Sequence, residues 1–269
     1  MDLETRLELV KRPPTEEIIT EQDLYTLLET NEHPEHYIGL EISGFLHLGT
    51  LIMVGNKIND LIKAGFKCKV YLADYHSFLN NKLGGNWENI LKAAKYYEEA
   101  FKLYCPKAKI ILGSKLYHNN NEYWKDVIKF SKHITLQRNM RCLTIMGRSE
   151  KEKLDFGQLL YPPMQGVDIK YLGQNLPHGG MDQRKIHALA REVFPRLKWK
   201  KPIALHHHLL AGLSEPPKIE SQNKLEKVIA TKMSKSKPWT AVFIHDTEME
   251  IKEKLGKAWC PPKEVEFNP

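Results

Sequence analysis

Two short stretches carry residues suited to anion chemistry. Lys232-Met233-Ser234-Lys235-Ser236 places two ammonium groups and two hydroxyls within one pentapeptide. Lysines neutralise phosphate charge and serine hydroxyls donate to phosphate oxygens, so this is the composition of an anion site on a loop. Far upstream, the run from Tyr37 to Thr50 reads as a strand (Tyr37 to Glu41), a tight turn at Ser43 and Gly44, and a helix opening near His47. The free N–H groups at a helix start, and the dipole there, favour anions. The run contains neither a GxGxxG fingerprint nor a Walker Gly-Lys-Ser/Thr. Taken alone, the downstream stretch reads as a solvated lysine-rich loop and the upstream one leaves ligand binding open.

The surrounding elements are those of an α/β chain. Residues 1–30 read as helical, broken at Pro13-Pro14, with new turns at Thr15 and Asp23. After the first strand, Leu48, Leu51, Ile52, Val54, Ile58, Leu61 and Ile62 recur at three- and four-residue spacing, which predicts one buried helix face running to Ala64, with Gly65 as its stop. Lys69 to Asp74 and Lys109 to Gly113 are the next strands, separated by a helix from Trp87 to Leu103. This alternation predicts a parallel sheet with right-handed crossovers. From about 118 to 160 only helices are predicted, as in an insertion, with exposed Lys129, Lys132, Arg138, Arg141, Arg148, Lys151 and Lys153. Tyr161 begins a further helix with Pro162 and Pro163 in its first turn, where Pro is tolerated. Pro177 to Gly180 is expected to follow a short strand, Met181 to Val193 to form an amphipathic helix, and Pro202 to His206 to be the last strand. Residues 212–231 read as a polar mobile loop, and Asp246 to Trp259 as a closing helix. The predicted division is an N-terminal helical segment (1–34), a Rossmann-like catalytic domain (35–231) with the 118–160 insertion, and a C-terminal part (232–269).

Bulk properties narrow the classes. The 269 residues suffice for one large domain or two small ones. The 40 Lys+Arg against 33 Asp+Glu give a net charge of +7, compatible with a polyanionic partner and equally with a plain basic surface. Cys68, Cys105, Cys142 and Cys260 lack CxxC spacing, which disfavours structural zinc and suits a reducing compartment. The acidic N-terminus has no apolar signal region, and no apolar run is long enough to span a bilayer, so a soluble cytoplasmic protein without membrane contact is expected. Adjacent His206, His207 and His208 on a strand cannot all face one ion, so no metal site is expected there; a nucleotide-side contact or a plain buried role stays open.

Read together, Gly44-x-x-His47-Leu48-Gly49 and Lys232 to Ser236 resemble the HIGH and KMSKS signatures of class I aminoacyl-tRNA synthetases, in order, separation and placement. Three longer runs resemble the tyrosyl-tRNA synthetases of the archaeal and eukaryotic type: Tyr37-Ile38-Gly39-x-Glu41; Tyr161-Pro-x-Met164-Gln165-x-x-Asp168-Ile-x-Tyr171-Leu172; and Gly179-Gly180-Met181-Asp182-Gln183-Arg184-Lys185-Ile186-His187 continuing to Arg191. The resemblance spans nearly the whole chain and implies a Rossmann-like doubly wound parallel sheet with a helical connective insertion, a KMSKS loop and a C-terminal helix.

It also implies roles. Tyr37 and Asp168 would read the substrate phenol, one as donor and the other as ionised acceptor. Such a site rejects a ligand lacking the hydroxyl, and the established example of that rejection is itself a tyrosyl-tRNA synthetase. Tyr161, Gln165 and Gln183 would hold the substrate ammonium. ATP would lie over His47 and Gly49, lined by Gly39 and Glu41 on one side and by Gly180, Asp182 and Gln183 on the other, with Asp182 on a ribose hydroxyl. Lys232 and Lys235, flanked by Met233, Ser234 and Ser236, would meet the phosphates, and Mg²⁺ would share their charge. The carboxylate of L-tyrosine would attack the α-phosphorus, releasing pyrophosphate, and the 2′-OH at the end of the tRNA(Tyr) acceptor stem would then take the tyrosyl group. A homodimer through residues 118–160 is expected on the same ground. The alternatives are a tryptophanyl-tRNA synthetase and a non-catalytic tRNA-binding paralogue. Thr50 replaces the second His of HIGH: it can donate to a phosphate but is not a cation. Ile42 stands where the family often has Pro. The family normally continues into an anticodon-binding domain, so this chain reads as a shortened or minimal form that keeps adenylation and lacks anticodon-dependent discrimination.

Overall fold

The computed structural model describes residues 1–147, 153–217 and 224–260. Arg148 and Lys151 of the basic insertion, and everything after Cys260, lie outside the described residues. Helix α1 (Leu3–Lys11) is capped by the Asp2 carboxylate, which accepts from the Thr5 amide. After Pro13-Pro14 the chain forms strand β1 (Thr15–Ile19) instead of the helical turn expected within 1–34. The β-branched Thr15, Ile18 and Ile19 suit a strand, and pairing with the last strand of the sheet supplies the ladder. The N-terminal segment is therefore part of the sheet, not a separate helical unit. Helix α2 (Glu21–Thr30) and strand β2 (Glu35–Glu41) follow.

The turn after β2 is made at Gly44, whose φ of +118° is one that side chains other than glycine rarely adopt. The helix expected near His47 begins two residues later, with a π-helical turn (Gly49–Met53) that leads into α3 (Val54–Lys63). His47 itself is held in an isolated antiparallel bridge with Phe243, and its carbonyl accepts from the Thr50 and Leu51 amides. Strand β3 (Lys67–Ala73) ends in α4 (Asp74–Leu79), and then come α5 (Trp87–Tyr104), β4 (Lys109–Leu112) and α6 (Gly113–Tyr117). The insertion is helical as expected, through α7 (Asn121–Ser131) and α8 (Leu136–Cys142), and α9 (Tyr161–Leu172) follows. Pro177 to Gly180 belongs to strand β5 (Leu176–Gly180) itself, because both neighbouring strands pair with it. Then come α10 (Arg184–Arg196) and β6 (Ala204–His207). The polar stretch read as a loop through 231 ends in α11 (Lys224–Thr231), and α12 (Glu248–Gly256) closes the described chain.

The six strands lie in the order β1-β6-β5-β2-β3-β4, all parallel except β1, which is antiparallel to β6. Both faces are covered, as parallel sheets require. Ile38, Leu40, Val70, Leu72 and Leu205 pack on one side with Ile58, Leu61, Ile90 and Phe101. Tyr37 and Tyr71 pack on the other with Tyr123, Phe130, Val167, Ile186 and Phe194. Each such large apolar side chain contributes about 1.5–3 kcal/mol on burial. No helix among the described residues is long and apolar enough to cross a membrane.

Candidate active site

Progression along the sheet runs β2-β3-β4 in one direction and returns through β5 and β6 on the other side of β2. The crevice between the carboxyl ends of β2 and β5 is the switch point where open α/β sheets bind ligands. A cavity of about 590 Å³ opens there. It is lined by Tyr37, Gly39 and Glu41 from β2, by His47, Gly49 and Thr50 from the following turn, and by Tyr161, Gln165 and Asp168 from α9. Gly180, Asp182 and Gln183 after β5, and Lys232, Met233, Ser234, Lys235 and Ser236 after α11, complete the lining. Every candidate residue thus borders one space, although they are spread over 200 residues of chain.

One end is a buried cluster of phenols around a carboxyl group. Asp168 accepts from Tyr123 Oη at 2.8 Å and from Tyr117 Oη at 3.1 Å on both oxygens, and the Tyr71 hydroxyl bonds that of Tyr117. His76 Nε2 stands 3.6 Å from the second oxygen. Burial pushes the Asp168 carboxyl up to about 8 despite these donors, which opposes the ionised form expected of it as an acceptor. The Tyr37 hydroxyl has no hydrogen-bond partner among the described residues, and burial raises its pKa well above the ordinary value. Nearby, Gln165 Nε2 donates to Gln183 Oε1 at 3.0 Å, and Gln183 Nε2 donates to the Ile145 carbonyl at 3.0 Å. Gln165 Oε1 is buried without a partner among the described residues, a free acceptor of the kind a substrate ammonium would take. Tyr161 Oη donates to Glu41 Oε1 at 3.4 Å, and Glu41 also receives Asn80 Nδ2 at 2.6 Å and Lys82 Nζ at 3.2 Å.

The other end is cationic. Lys232 Nζ rests on Asp182 Oδ2 at 2.6 Å, and Lys235 Nζ rests on the Tyr97 hydroxyl. Burial lowers the Lys235 ammonium to about 7, against the pull of Glu41. His47 Nε2 is 3.1 Å from Thr50 Oγ1, and burial with the two nearby lysines lowers its imidazole to about 4, so it is a neutral ring. A side chain at residue 49 would come within 3.3 Å of the His47 ring and of Leu210, so glycine there keeps the approach to the turn open.

The sequence does not show which face of its strand Tyr71 takes and gives no signal for Tyr117, Tyr123, His76, Lys82 or Tyr97 as site residues, and of the candidate histidines 206–208 it is His207 that lines the cavity. Tyr71 lines the cavity because β3 pairs Tyr71 with Gly39, which puts both on the Tyr37 face. That register is not written in either segment. Tyr117 ends α6 just before the insertion and Tyr123 lies on α7 within it, where the only signal was aromatic content.

Comparison with known proteins places this geometry. The family model described as "tRNA synthetases class I (W and Y)" matches residues 29–268. Tyrosine–tRNA ligase of Thermococcus sibiricus is 50% identical over 289 aligned positions, covering 100% of this chain and 77% of the relative. The crystal structure of tyrosyl-tRNA synthetase from Pyrococcus horikoshii, complexed with L-tyrosine, superposes with a TM-score of 0.90 at 46% identity, covering 100% of this chain and 78% of that one. Tryptophanyl-tRNA synthetase from Aeropyrum pernix shares the fold at a TM-score of 0.69 and 20% identity, with 88% of this chain and 62% of that one covered. The signature residues, the switch-point cavity and these likenesses together assign the chain to the tyrosine–tRNA ligases, within the class I tRNA synthetases.

Proposed function

We propose that the cavity binds L-tyrosine at its phenol-rich end and ATP at its lysine-bearing end, and joins them as tyrosyl-adenylate before transfer to the acceptor stem of tRNA(Tyr). The observation that carries this reading is the union in one cavity of Tyr37 with Asp168 and of Lys232 with Lys235. A phenol must both donate and accept, and a tyrosine hydroxyl beside a carboxyl group offers both functions. The unpartnered Gln165 Oε1 supports an ammonium site with Gln183 and Tyr161. Asp182, now on Lys232, is the acceptor for a ribose hydroxyl once phosphates draw that lysine away.

In the reaction a tyrosine carboxylate oxygen forms a bond to the α-phosphorus while the bond to the bridging oxygen of pyrophosphate breaks in line. No protein nucleophile is required. Positioning and stabilisation of charge developing on the phosphates supply the rate, the latter from Lys232, Lys235 and the hydroxyls of Thr50, Ser234 and Ser236. Among the described residues no group of three or more His, Cys, Asp or Glu is arranged to hold a metal ion, and the phosphate end presents ammonium groups. Ammonium groups are poor partners for Mg²⁺, so the residues do not fit a protein-held ion, and any Mg²⁺ would be held by the nucleotide's own phosphates. Exposed Trp124, Ile128 and Leu136 on α7 and α8 support a second copy docking on the insertion, which light scattering checks. Free thiols at all four cysteines support a cytoplasmic setting.

ATP–pyrophosphate exchange tests the reading. Exchange supported by L-tyrosine and not by L-tryptophan is expected. Exchange with tryptophan alone would move the chain to the tryptophan branch, and none with any amino acid would leave the binding-only paralogue.

A further inference from the structure

On the sheet face opposite Tyr37, three histidines form a hydrogen-bonded ladder. His36 on β2, His178 on β5 and His207 on β6 are all buried. His36 Nε2 lies 3.1 Å from His178 Nδ1, and His178 Nε2 lies 2.9 Å from His207 Nδ1. The parallel register aligns His36 with Leu176, His178 with Leu205 and Gly180 with His207, so the ladder climbs diagonally to the carboxyl ends of the strands. At its top His207 lines the cavity, and its Nε2 lies close to Gly180.

We propose that this ladder fixes the tautomer of His207 so that its Nε2–H faces the cavity as a neutral hydrogen-bond donor to bound ATP, with His178 and His36 as the positioning residues. The proposal rests on the reading of this end of the cavity as the nucleotide site. Three neutral imidazoles carry one N–H each, and two bonds between them allow only two polarities. Either every ring is protonated on Nε2 and donates toward the cavity, or every ring is protonated on Nδ1 and donates away from it. The buried foot of the ladder decides. His36 Nδ1 has no partner among the described residues. An orphaned buried N–H is rarer in proteins than an under-satisfied acceptor, so Nδ1 of His36 is the bare lone pair and its proton sits on Nε2. The polarity then propagates: His36 donates to His178, His178 donates to His207, and His207 is left with its N–H on Nε2. Burial keeps all three rings uncharged, and the charge of Asp182 near His207 favours a proton on the side facing the cavity. This is the arrangement by which second partners set the tautomer of a functional imidazole, with histidines in the place of the usual carboxylate or carbonyl.

The test uses the full chain with ¹⁵N-labelled histidine and long-range ¹H–¹⁵N spectra at neutral pH. His207 in the Nε2–H form, with its Nε2–H resonance moving on addition of ATP, is expected; His207 in the Nδ1–H form overturns the proposal. His178→Val should split His207 into a mixture of tautomers and raise the KM for ATP about fivefold, the worth of one hydrogen bond, while the KM for tyrosine stays within twofold. A merely structural histidine would not move the tautomer. His207→Val should raise the KM for ATP about five- to tenfold, and His207→Gln, which keeps a donor at a similar reach, should restore most of it. An unchanged KM for ATP in His207→Val overturns the proposal even if the ladder polarity is as stated. Absence of tyrosine-dependent exchange in the unmodified chain would instead refute the functional reading, and the ATP-induced shift at His207 would still judge the donor.

Discussion

The two ends of the cavity are built differently. Tyr37, Tyr71, Tyr117, Tyr123 and Asp168 come from β2, β3, α6, α7 and α9, and all are buried in one packed cluster. Lys232 and Lys235 come from the segment after α11, and the Lys232 side chain keeps 33% of its exposure while lying on Asp182. The first end is a dry setting, where an unpaired polar group is costly, and it suits the reading of shape and a hydroxyl proposed for it. The second presents charge: Lys232 is partly exposed and Lys235 is buried enough to lower its ammonium to about 7. At each end the carboxyl group is met by the protein's own donors, phenols on Asp168 and an ammonium on Asp182, while Gln165 Oε1 stays without a partner among the described residues.

Substitutions at the two ends should separate in what they change, and the strongest effect belongs to the charged end. Lys235→Ala should lower kcat for exchange by about 100- to 1000-fold, the range for removing one group that stabilises transition-state charge, with the KM for tyrosine little altered. An equal rise in the KM for tyrosine would dissolve the distinction. Asp168→Asn should act the other way round, raising the KM for tyrosine about thirtyfold or more, since a buried hydrogen-bonding group at the phenol is worth about 2 kcal/mol or more, and leaving the KM for ATP unchanged.

Acid stability turns on the buried histidines of both sheet faces. Burial depresses His36 and His206 to about 3 and His207 to about 4, and pushes His178 and His187 well down too. Unfolded histidine titrates near 6.5. Between that value and 4 the unfolded chain binds protons that the folded chain refuses, so stability is full above pH 6.5 and falls as pH drops below it. Thermal unfolding followed from pH 7 to pH 4.5 should show a steep loss, and His178→Val should flatten the slope. The smallest effect is expected for Tyr71→Phe, which removes one hydroxyl from the phenol relay. About 1 kcal/mol corresponds to a Tm lower by roughly 2–4 °C for a chain of this size, with the KM for tyrosine changed less than about fivefold. A larger fall in activity than in Tm would place the Tyr71 hydroxyl in contact with the substrate.

The alternation of segments made the fold class legible, and the family resemblance made seventeen of the residues lining the cavity legible. His47 with Lys232 to Ser236 is such a case: neither means much alone, and the pair selects the switch point. What stayed hidden depends on register and on partners distant in the chain. Thr15 to Ile19 became a strand only because β6 offers an unpaired edge. Tyr71 could not be assigned a face until its pairing with Gly39 was known. His36, His178 and His207 are isolated polar residues in three strands, and only the sheet order makes them a ladder. The neutral tendency of Asp168 is likewise a property of its burial among phenols, not of its motif.

The measurement that tests the account most directly is the ratio of kcat/KM for L-tyrosine to that for L-phenylalanine in ATP–pyrophosphate exchange. The two substrates differ only in the hydroxyl that Tyr37 and Asp168 are argued to read. A preference for tyrosine of at least about a thousandfold is expected, the established discrimination for tyrosyl-tRNA synthetases being of order 10⁴ to 10⁵. A ratio near one would contradict the central claim, because the buried end would then be reading ring shape alone.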